Sequence, residues 1–507
     1  MSGILLQIVI VPITASLITY LVAKRMREKT GWIAFAALLY TLTLTLLAGG
    51  KVADSAAGFQ VEEYSWIPAF NLTFGLRIDG LSLPFAATIG FLCTLIALYS
   101  IPYMRHRIGD KPQEYGAYFA LYLLYAAGML GTVLSTNLIE FYLFYELMLI
   151  PSYFLIAQWG YGNREQIAFM YFLWTHVGAL ALLTGILSTY VLTLPTGSFD
   201  IYQIHDIFIR QPVPFDTLKW ITIAMFLGFF VKMAAFGLHI WLPHAHAEAP
   251  TPISALLSPA MIGIGGYATV RITMTLFPSV FEAFMVFLSI WALVTMVYGG
   301  IMALAQDDIK RLLAYSSVSQ MGYILFGIAS YSLLGVSGSM FHYISHGTAK
   351  GILFMAAGAI ILQTEGLRSI KKMGGLASKM PLTATAALIG FLAIMGTPPL
   401  NGFQSEWMLF TGVVQEGIKD AIEYGSLTKI LIASLGIVST AITAGYGLWT
   451  IRRVFFGPRP EYLDHVKEAP PLITVPLITL AVLTVLLGVY PRIVTDILLP
   501  AIEAIVV

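Results

Sequence analysis

Six ionisable side chains fall where the surrounding sequence offers them almost no polar company: Glu146, Lys232, His342, His346, Lys350 and Glu406. Groups of these types, spaced by helical turns, can accept and release protons without any cofactor. Lys232 lies in the apolar run Ile221 to Gly237, about 14 residues into a predicted helix. An ammonium at the centre of a membrane helix costs about 2.5 to 3.5 kcal/mol on insertion scales. So placed it is a tunable proton site, which a neighbouring carboxylate stabilises in its charged form; the alternative is a lysine that reaches the interface by extending its stem. Glu146, in FYLFYELMLIP with no other charge for five residues on either side, is the expected counter-charge. Pro151 should leave the Leu147 carbonyl without its helical donor, a hydratable point beside the carboxylate. Glu140 lies about 120° round the same helix and reads as an interfacial residue near its outer end.

His342, His346 and Lys350 follow one another at i, i+4 and i+8 and so line one helix face within about 80°. Two imidazoles a turn apart, with Ser345 and Thr348 close by, suit stepwise proton movement through trapped water. The spacing could also hold zinc, but the lysine repels a cation and no HExxH glutamate accompanies it. A structural stripe between helices is the plainer reading. His239, His244, His246 and Glu248 crowd a second stretch and look most like a metal site. They fall at a predicted helix end, where polar side chains cap free backbone groups and meet headgroup water, and Thr251-Pro252 then reads as an N-cap with proline at the first helical position. Glu406 follows Gly396-Thr397-Pro398-Pro399-Leu400-Asn401-Gly402, near the expected start of a half-helix whose dipole would stabilise an anion; simple capping is the alternative.

Such residues need a scaffold without water. The chain has 507 residues, is 58% hydrophobic and only 11% charged, against roughly 25% in soluble domains. With mean hydropathy +0.81 along its whole length it leaves no room for a separate soluble catalytic domain. A net charge of +1 gives no footprint for nucleic acid, and the single cysteine, Cys93, cannot supply an iron-sulfur or thiolate zinc site. No cofactor is therefore expected in this chain.

Breaks at charges and Gly/Pro clusters give about fourteen apolar stretches, at 3–23, 31–50, 80–102, 114–134, 137–158, 166–194, 218–242, 252–275, 281–304, 311–331, 335–362, 381–415, 427–451 and 470–490. The first lacks a cleavage site and reads as a retained helix. Connections after odd-numbered stretches carry 18 Lys and Arg and the opposite ones 8, which puts both termini on the non-cytoplasmic side of the cell membrane. Stretches seven and twelve contain helix-breaking Gly and Pro, tolerated at membrane depth only where protein or water replaces the lost partners. Interrupted helices five apart suggest two inverted five-helix repeats, as in transporters. The fold class expected is an all-α polytopic membrane protein of about fourteen helices with helices 7 and 12 broken.

These residues resemble the antiporter-like membrane subunits of respiratory complex I, Mrp-type cation/proton antiporters and membrane-bound hydrogenases. The motifs that carry the resemblance are FYLFYELMLIPSYFLI, VKMAAFGLHIWLPHAHAEAPTPISALL, DDIKRLLAYSSVSQMGY, ISHGTAKGILF and TPPLNGFQSEW, spread over nearly the whole chain. The resemblance implies helices 1–3 over residues 1–112, one repeat over 113–276, a second over 277–455 and helix 14 over 456–507. It implies a Glu146/Lys232 pair and a polar axis running through His346 to Glu406. It implies partners: other membrane subunits and a peripheral redox module whose subunits carry iron-sulfur clusters, with this chain a subunit of a translocating oxidoreductase holding no redox centre itself. The pattern is closest to the M-type subunit of complex I, the D-type subunit of Mrp, or an archaeal hydrogenase or sulfane reductase subunit. Two positions depart from it: Gly263 stands where many relatives have a lysine on helix 8, and Gln320 where some have a histidine. The function implied is proton or sodium translocation coupled to electron transfer in partner subunits; the alternative is an Mrp-type sodium/proton antiporter working without electron transfer.

Overall fold

A computed structural model of the chain describes residues 3–54, 58–70 and 72–506. Two long helices, α1 (Ile4–Met26) and α2 (Thr30–Asp54), are followed by a hairpin of β1 (Phe59–Ile67) and β2 (Leu72–Asp79). Next come α3 (Ser82–Ile108), α4 (Pro112–Leu134), α5 (Leu138–Trp159), α6 (Arg164–Leu192), the short α7 (Ile201–Arg210), α8 (Phe215–Lys232) and α9 (Trp241–Glu248). A continuous helix α10 (Thr251–Met274) contains two π-helical turns, Leu257–Met261 and Thr269–Met274. The remainder is α11 (Pro278–Leu304), α12 (Ile309–Ala329), α13 (Leu333–Gln363), α14 (Pro381–Ile394), α15 (Asn401–Tyr424), α16 (Thr428–Ile451), α17 (Pro471–Val489) and α18 (Arg492–Val506). Among the described residues, 11 stretches are long and apolar enough to cross a membrane, the first of them, Ile4–Val52, embracing both α1 and α2. The chain is an all-α polytopic membrane protein apart from the hairpin. The apolar windows of α10, α12 and α13 are wholly buried, so these three form the centre, while α6, α11 and α16 present much of their surface outward.

Both expected interruptions are present. Stretch seven stops at Lys232 and resumes at Trp241, with Ala234 and Gly237 in the left-handed region (φ 55° and 85°). The backbone freed there is met by side chains from three helices. The indoles of Trp174, Trp241 and Trp291 donate to the Leu238, Val231 and Phe236 carbonyls, each at 2.9 Å, and Phe236 N donates to Thr295 Oγ1 at 3.1 Å. Stretch twelve breaks between Ile394 and Asn401. There the Ser345 hydroxyl donates to the Asn401 carbonyl (3.0 Å) and the Asn401 amide to Thr348 Oγ1 (3.0 Å). These are the replacement partners that apolar surroundings demand.

The hairpin was not anticipated, because alternating residues on nine- and eight-residue strands make no 20-residue apolar run. It binds both flanking layers. Glu62 of β1 accepts from Gly3 N and Leu6 N at the start of α1 (2.9 and 3.0 Å). Gly75 N of β2 donates to Glu140 of α5 (3.0 Å), while Asn137 caps α5 by accepting from Glu140 N (2.8 Å). Glu140 is consequently buried, not washed by interfacial water as its position near the helix end suggested. Two charges expected in loops are buried as well. Arg271 of α10 pairs with Asp79 at 2.5 Å, and Lys310 in the first turn of α12 donates to the Ala249 carbonyl at 2.5 Å. The Thr251 hydroxyl, expected to cap a helix, is bonded instead to Tyr103 OH (2.9 Å).

Burial pushes the Asp79 carboxyl up, but the Arg271 guanidinium, the Ser82 N–H and Arg77 override it and hold the group well below the usual carboxylate range. Asp79→Asn should therefore cost about 3 to 5 kcal/mol, because Arg271 is left charged and unpaired. A depressed carboxyl contributes stability in full above its unfolded value of about 3.9 and loses it only as pH falls through the folded value. The gap in thermal unfolding between wild type and variant should hold constant from about pH 8 down to about pH 5. A second expectation concerns helix contact: a Cβ on Gly128 of α4 would lie 2.6 Å from Met148 N of α5. Backbone cannot yield there, so Gly128→Ala should destabilise by about 1 to 3 kcal/mol in the same assay.

Candidate functional site

Lys232 is the final residue of α8, not a mid-helix one, because the helix ends there. The helix's terminal carbonyls favour a cation at this end. Its Nζ sits 4.3 Å from the centroid of the Tyr145 ring and has no hydrogen-bond partner among the described residues. Tyr145, one residue before Glu146, is fixed by donating to the Gly228 carbonyl (3.0 Å). The expected direct pair is not formed: Glu146 Oε2 lies 3.1 Å from Nδ1 of His176 on α6, and its Oε1 is unpartnered. The Glu146 charge still reaches Lys232. His176, stacked on Phe172, is 36% exposed at its side chain against 15% for Glu146, so the pair opens toward the outer surface of α5 and α6. Sequence reading passed over His176, although a lone histidine inside the apolar Arg164–Leu192 helix was a usable signal.

The stripe on α13 is buried throughout. His342 Nε2 faces Gln320 Oε1 at 2.8 Å and Nδ1 faces Ser405 Oγ at 3.0 Å. Gln320 is therefore in direct contact with the stripe. The Ser405 hydroxyl donates to the Gly402 carbonyl (3.0 Å), so His342 Nδ1 meets the oxygen of a hydroxyl whose proton is already engaged. Lys350 Nζ donates to the Leu313 carbonyl (3.0 Å) and to Ser316 Oγ (2.6 Å), and that hydroxyl donates onward to Tyr446 OH (2.7 Å). Ser316 and Tyr446, missed in the sequence, extend the lysine by two hydroxyls. Neither ring nitrogen of His346 has a protein partner. Over Gly263 the space of a longer side chain is taken by the Tyr343 ring, whose hydroxyl donates to the Ala260 carbonyl (3.0 Å) at the π-helical turn.

His246 is fully buried and stacked on Phe354 at 4.8 Å, with both ring nitrogens unpartnered. That corrects its placement among headgroup-facing residues. Lys310, Lys350 and His346 are ionisable neighbours of its ring. Lys310 lies 5.3 Å from the Tyr161 ring centroid and within reach of the half-buried Glu248. His246 thus links the stripe on α13 toward the loop that joins α5 to α6. His239 is buried near the α8–α9 break, where its Nδ1 accepts from Gly237 N (3.2 Å), and His244 is half-buried. Among the described residues no three of His, Cys, Asp and Glu are grouped as metal ligands.

Glu406 is the sixth residue of α15, beyond the first turn, so the helix dipole expected to stabilise it is weak there. It is buried, its Oε1 is unpartnered, and it borders a cavity of about 480 Å³ with Gly396, Phe403, Trp407 and Phe410. Tyr323, stacked on His342, and Tyr446 are its neighbours on the side of α13. The six expected residues therefore fall in two groups, Glu146 and Lys232 in one and the other four in the second. No direct hydrogen bond joins the groups among the described residues.

Residues 135–432 match the family model described as NADH:quinone oxidoreductase/Mrp antiporter, TM, and residues 66–119 match NADH-Ubiquinone oxidoreductase (complex I), chain 5 N-terminus. The chain is 32% identical to F(420)H(2) dehydrogenase subunit M of Methanosarcina mazei, over 98% of its own length and 97% of that protein. A chain of respiratory complex I from Thermus thermophilus superposes with TM-score 0.85 at 25% identity, covering 99% of both chains. A chain of the membrane-bound sulfane sulfur reductase, an archaeal respiratory membrane complex, superposes with TM-score 0.82 at 28% identity, over 96% of this chain and 76% of that one. Taken with the buried charges and two interrupted helices, these matches place the chain in the family of antiporter-like membrane subunits shared by complex I and Mrp antiporters.

Proposed function

We propose that this chain moves protons, or sodium ions, across the cell membrane as one subunit of a complex I-like oxidoreductase, driven by electron transfer in partner subunits. The observation that carries this reading is that the buried ionisable atoms without protein partners include Lys232 Nζ, both nitrogens of His246 and His346, and one oxygen each of Glu146, Glu248 and Glu406. Leaving polar atoms dry and unpaired costs several kcal/mol for a charged group. Such a row is sustained by internal water, and water between titratable groups is a proton path. Counting each interrupted helix as one crossing, and α1 and α2 separately, gives fourteen passes, with the α8–α9 and α14–α15 breaks at matching places of repeats over 113–276 and 277–455. With Lys310 and Arg271 buried, the positive charges divide 17 to 7, which still favours termini on the non-cytoplasmic side.

In this reading Glu146 has two positions. Turned inward it stabilises the Lys232 ammonium; turned to His176, as here, it leaves Lys232 held only by the Tyr145 ring and the helix end. A proton released from Lys232 then moves over water to His346 and Lys350, and by Ser316 and Tyr446, or His342 and Ser405, to the neighbourhood of Glu406. Lys310 and His246 supply the row from the side of the α5–α6 loop. Iron-sulfur clusters and other redox groups belong to partner subunits, whose electron transfer supplies the driving force.

The test is ion pumping in vesicles bearing the complete complex, driven by its electron donor. Lys232→Met should abolish pumping while donor oxidation slows or proceeds uncoupled; unchanged pumping per electron would remove the assignment. His176→Leu should lower the coupled rate by about tenfold, the equivalent of one charge-assisted hydrogen bond, without abolishing it. The family also includes Mrp antiporters, and sodium/proton exchange in vesicles supplied with an ion gradient and no electron donor would establish that alternative.

A further inference from the structure

Two cavities on the hairpin side run together beneath α18. The outer one, about 690 Å³, is polar and contains Arg77, Asp79, Tyr202 and Arg271. The inner one, about 340 Å³, is walled almost wholly by apolar side chains of α2, α3, α13, α17 and α18. Gly49, Leu83 and Ile497 line both, so the two form one slot that is polar at one end and apolar at the other.

At the polar end Arg77 keeps both of its terminal nitrogens without a hydrogen-bond partner among the described residues. Asp79 Oδ1 accepts from Leu81 N, Ser82 N and Arg271 Nη2, and Oδ2 accepts from Arg77 Nε. Arg271 uses each of its other two nitrogens once, Nε on Tyr267 OH and Nη1 on Tyr202 OH. Arg77 spends only Nε. Its guanidinium is clamped between the rings of Phe59 (3.8 Å) and Tyr202 (4.1 Å), and its terminal nitrogens have no hydrogen-bond partner among the described residues. Arg77 and Arg271 share this end with the buried Asp79, with Asp200 close to Arg77, and the exposed Asp496 and half-buried His205 are among the other lining residues.

We infer that this slot binds one anionic membrane lipid, with its phosphate on the terminal nitrogens of Arg77 and one hydrocarbon tail in the apolar end. A planar guanidinium held by two aromatic faces offers a fixed fork that matches two phosphate oxygens. The apolar continuation selects a ligand with a tail over a free phosphate, and the unused Arg77 fork selects a phosphate not already paired with a cation of its own headgroup, an anionic over a zwitterionic lipid. Bilayer lipid is present at high local concentration around every such opening. Helix α18 roofs the slot through Ile493, Val494 and Ile497.

The test uses the full-length chain, in the assembly it purifies with, in phosphatidylcholine vesicles carrying a minor fraction of tail-diazirine phosphatidylglycerol or of tail-diazirine phosphatidylcholine. After illumination, labelled peptides covering 480–497 should be about fivefold more abundant with the anionic probe, as expected for one arginine–phosphate contact. Arg77→Met should remove that preference, and Ala87→Trp, which fills the apolar end, should lower labelling by both probes. Equal labelling by the two lipids, no labelling of this segment, or an unchanged preference in Arg77→Met would overturn the proposal. Should either variant fail to accumulate, the comparison of the two lipids on the wild type decides the matter.

Discussion

The constraint on which the rest of this structure depends is that a polar group inside hydrocarbon must find its partner within the protein. Across continuous helices the backbone satisfies this alone. At the α8–α9 break it cannot, and three indole N–H groups and a threonine hydroxyl from neighbouring helices are committed to that one interruption. The break is thus a built element, and it sets where Lys232 lies, since the ammonium belongs to the residue at which regular hydrogen bonding stops. Tyr145 is positioned by the Gly228 carbonyl on the same helix, which places its ring under the ammonium. One demand, satisfying backbone at membrane depth, orders both the scaffold and the site.

That constraint also explains what was legible in the sequence. Most crossing helices are legible to within a few residues because desolvation allows few alternatives to a run of about twenty apolar residues; the fourth stretch, 114–134, is the helix Pro112–Leu134, while the third and twelfth run on past 102 and 415 to Ile108 and Tyr424. The isolated charges stood out for the same reason. The hairpin, α7 and α18 lie where water or headgroups can satisfy backbone, so no comparable rule applies, and their strand alternation or amphipathic pattern had to compete with a reading tuned to long apolar runs.

The misplacements share a cause. Lys232 was put mid-helix because Met233-Ala234-Ala235-Phe236 continue an apolar pattern, and only tertiary contacts from Trp174, Trp291 and Thr295 make a break better than a turn of helix there. His246 was read as facing headgroups because prolines at 243 and 250 mark an end of regular structure; packing under Phe354, invisible in sequence, buries it. Lys310, two residues after the Asp308 cap, looked like any cytoplasmic loop lysine. Burial is a property of the assembled bundle, and a local motif reports only that a residue could be polar.

The distribution of sign along the buried row has its own logic. Its carboxylates are Glu146, opening between α5 and α6, Glu406 beside its cavity and Glu248 near Lys310, and none of them is hydrogen-bonded to Lys232, Lys350 or the buried histidines of α13 among the described residues. Interior cations in one low-dielectric core raise one another's energy, and each is held by neutral acceptors, carbonyls for Lys310 and Lys350 and an aromatic face for Lys232. Neutral acceptors hold an ammonium less firmly than a carboxylate would, so a small displacement of one of these carboxylates changes the balance among the interior groups by more than it would if each cation had its own anion. Fully paired, this row would be a static structural network. Under the proposed function, it is this lack of anions paired with the buried lysines that carries a change at one face of the subunit inward.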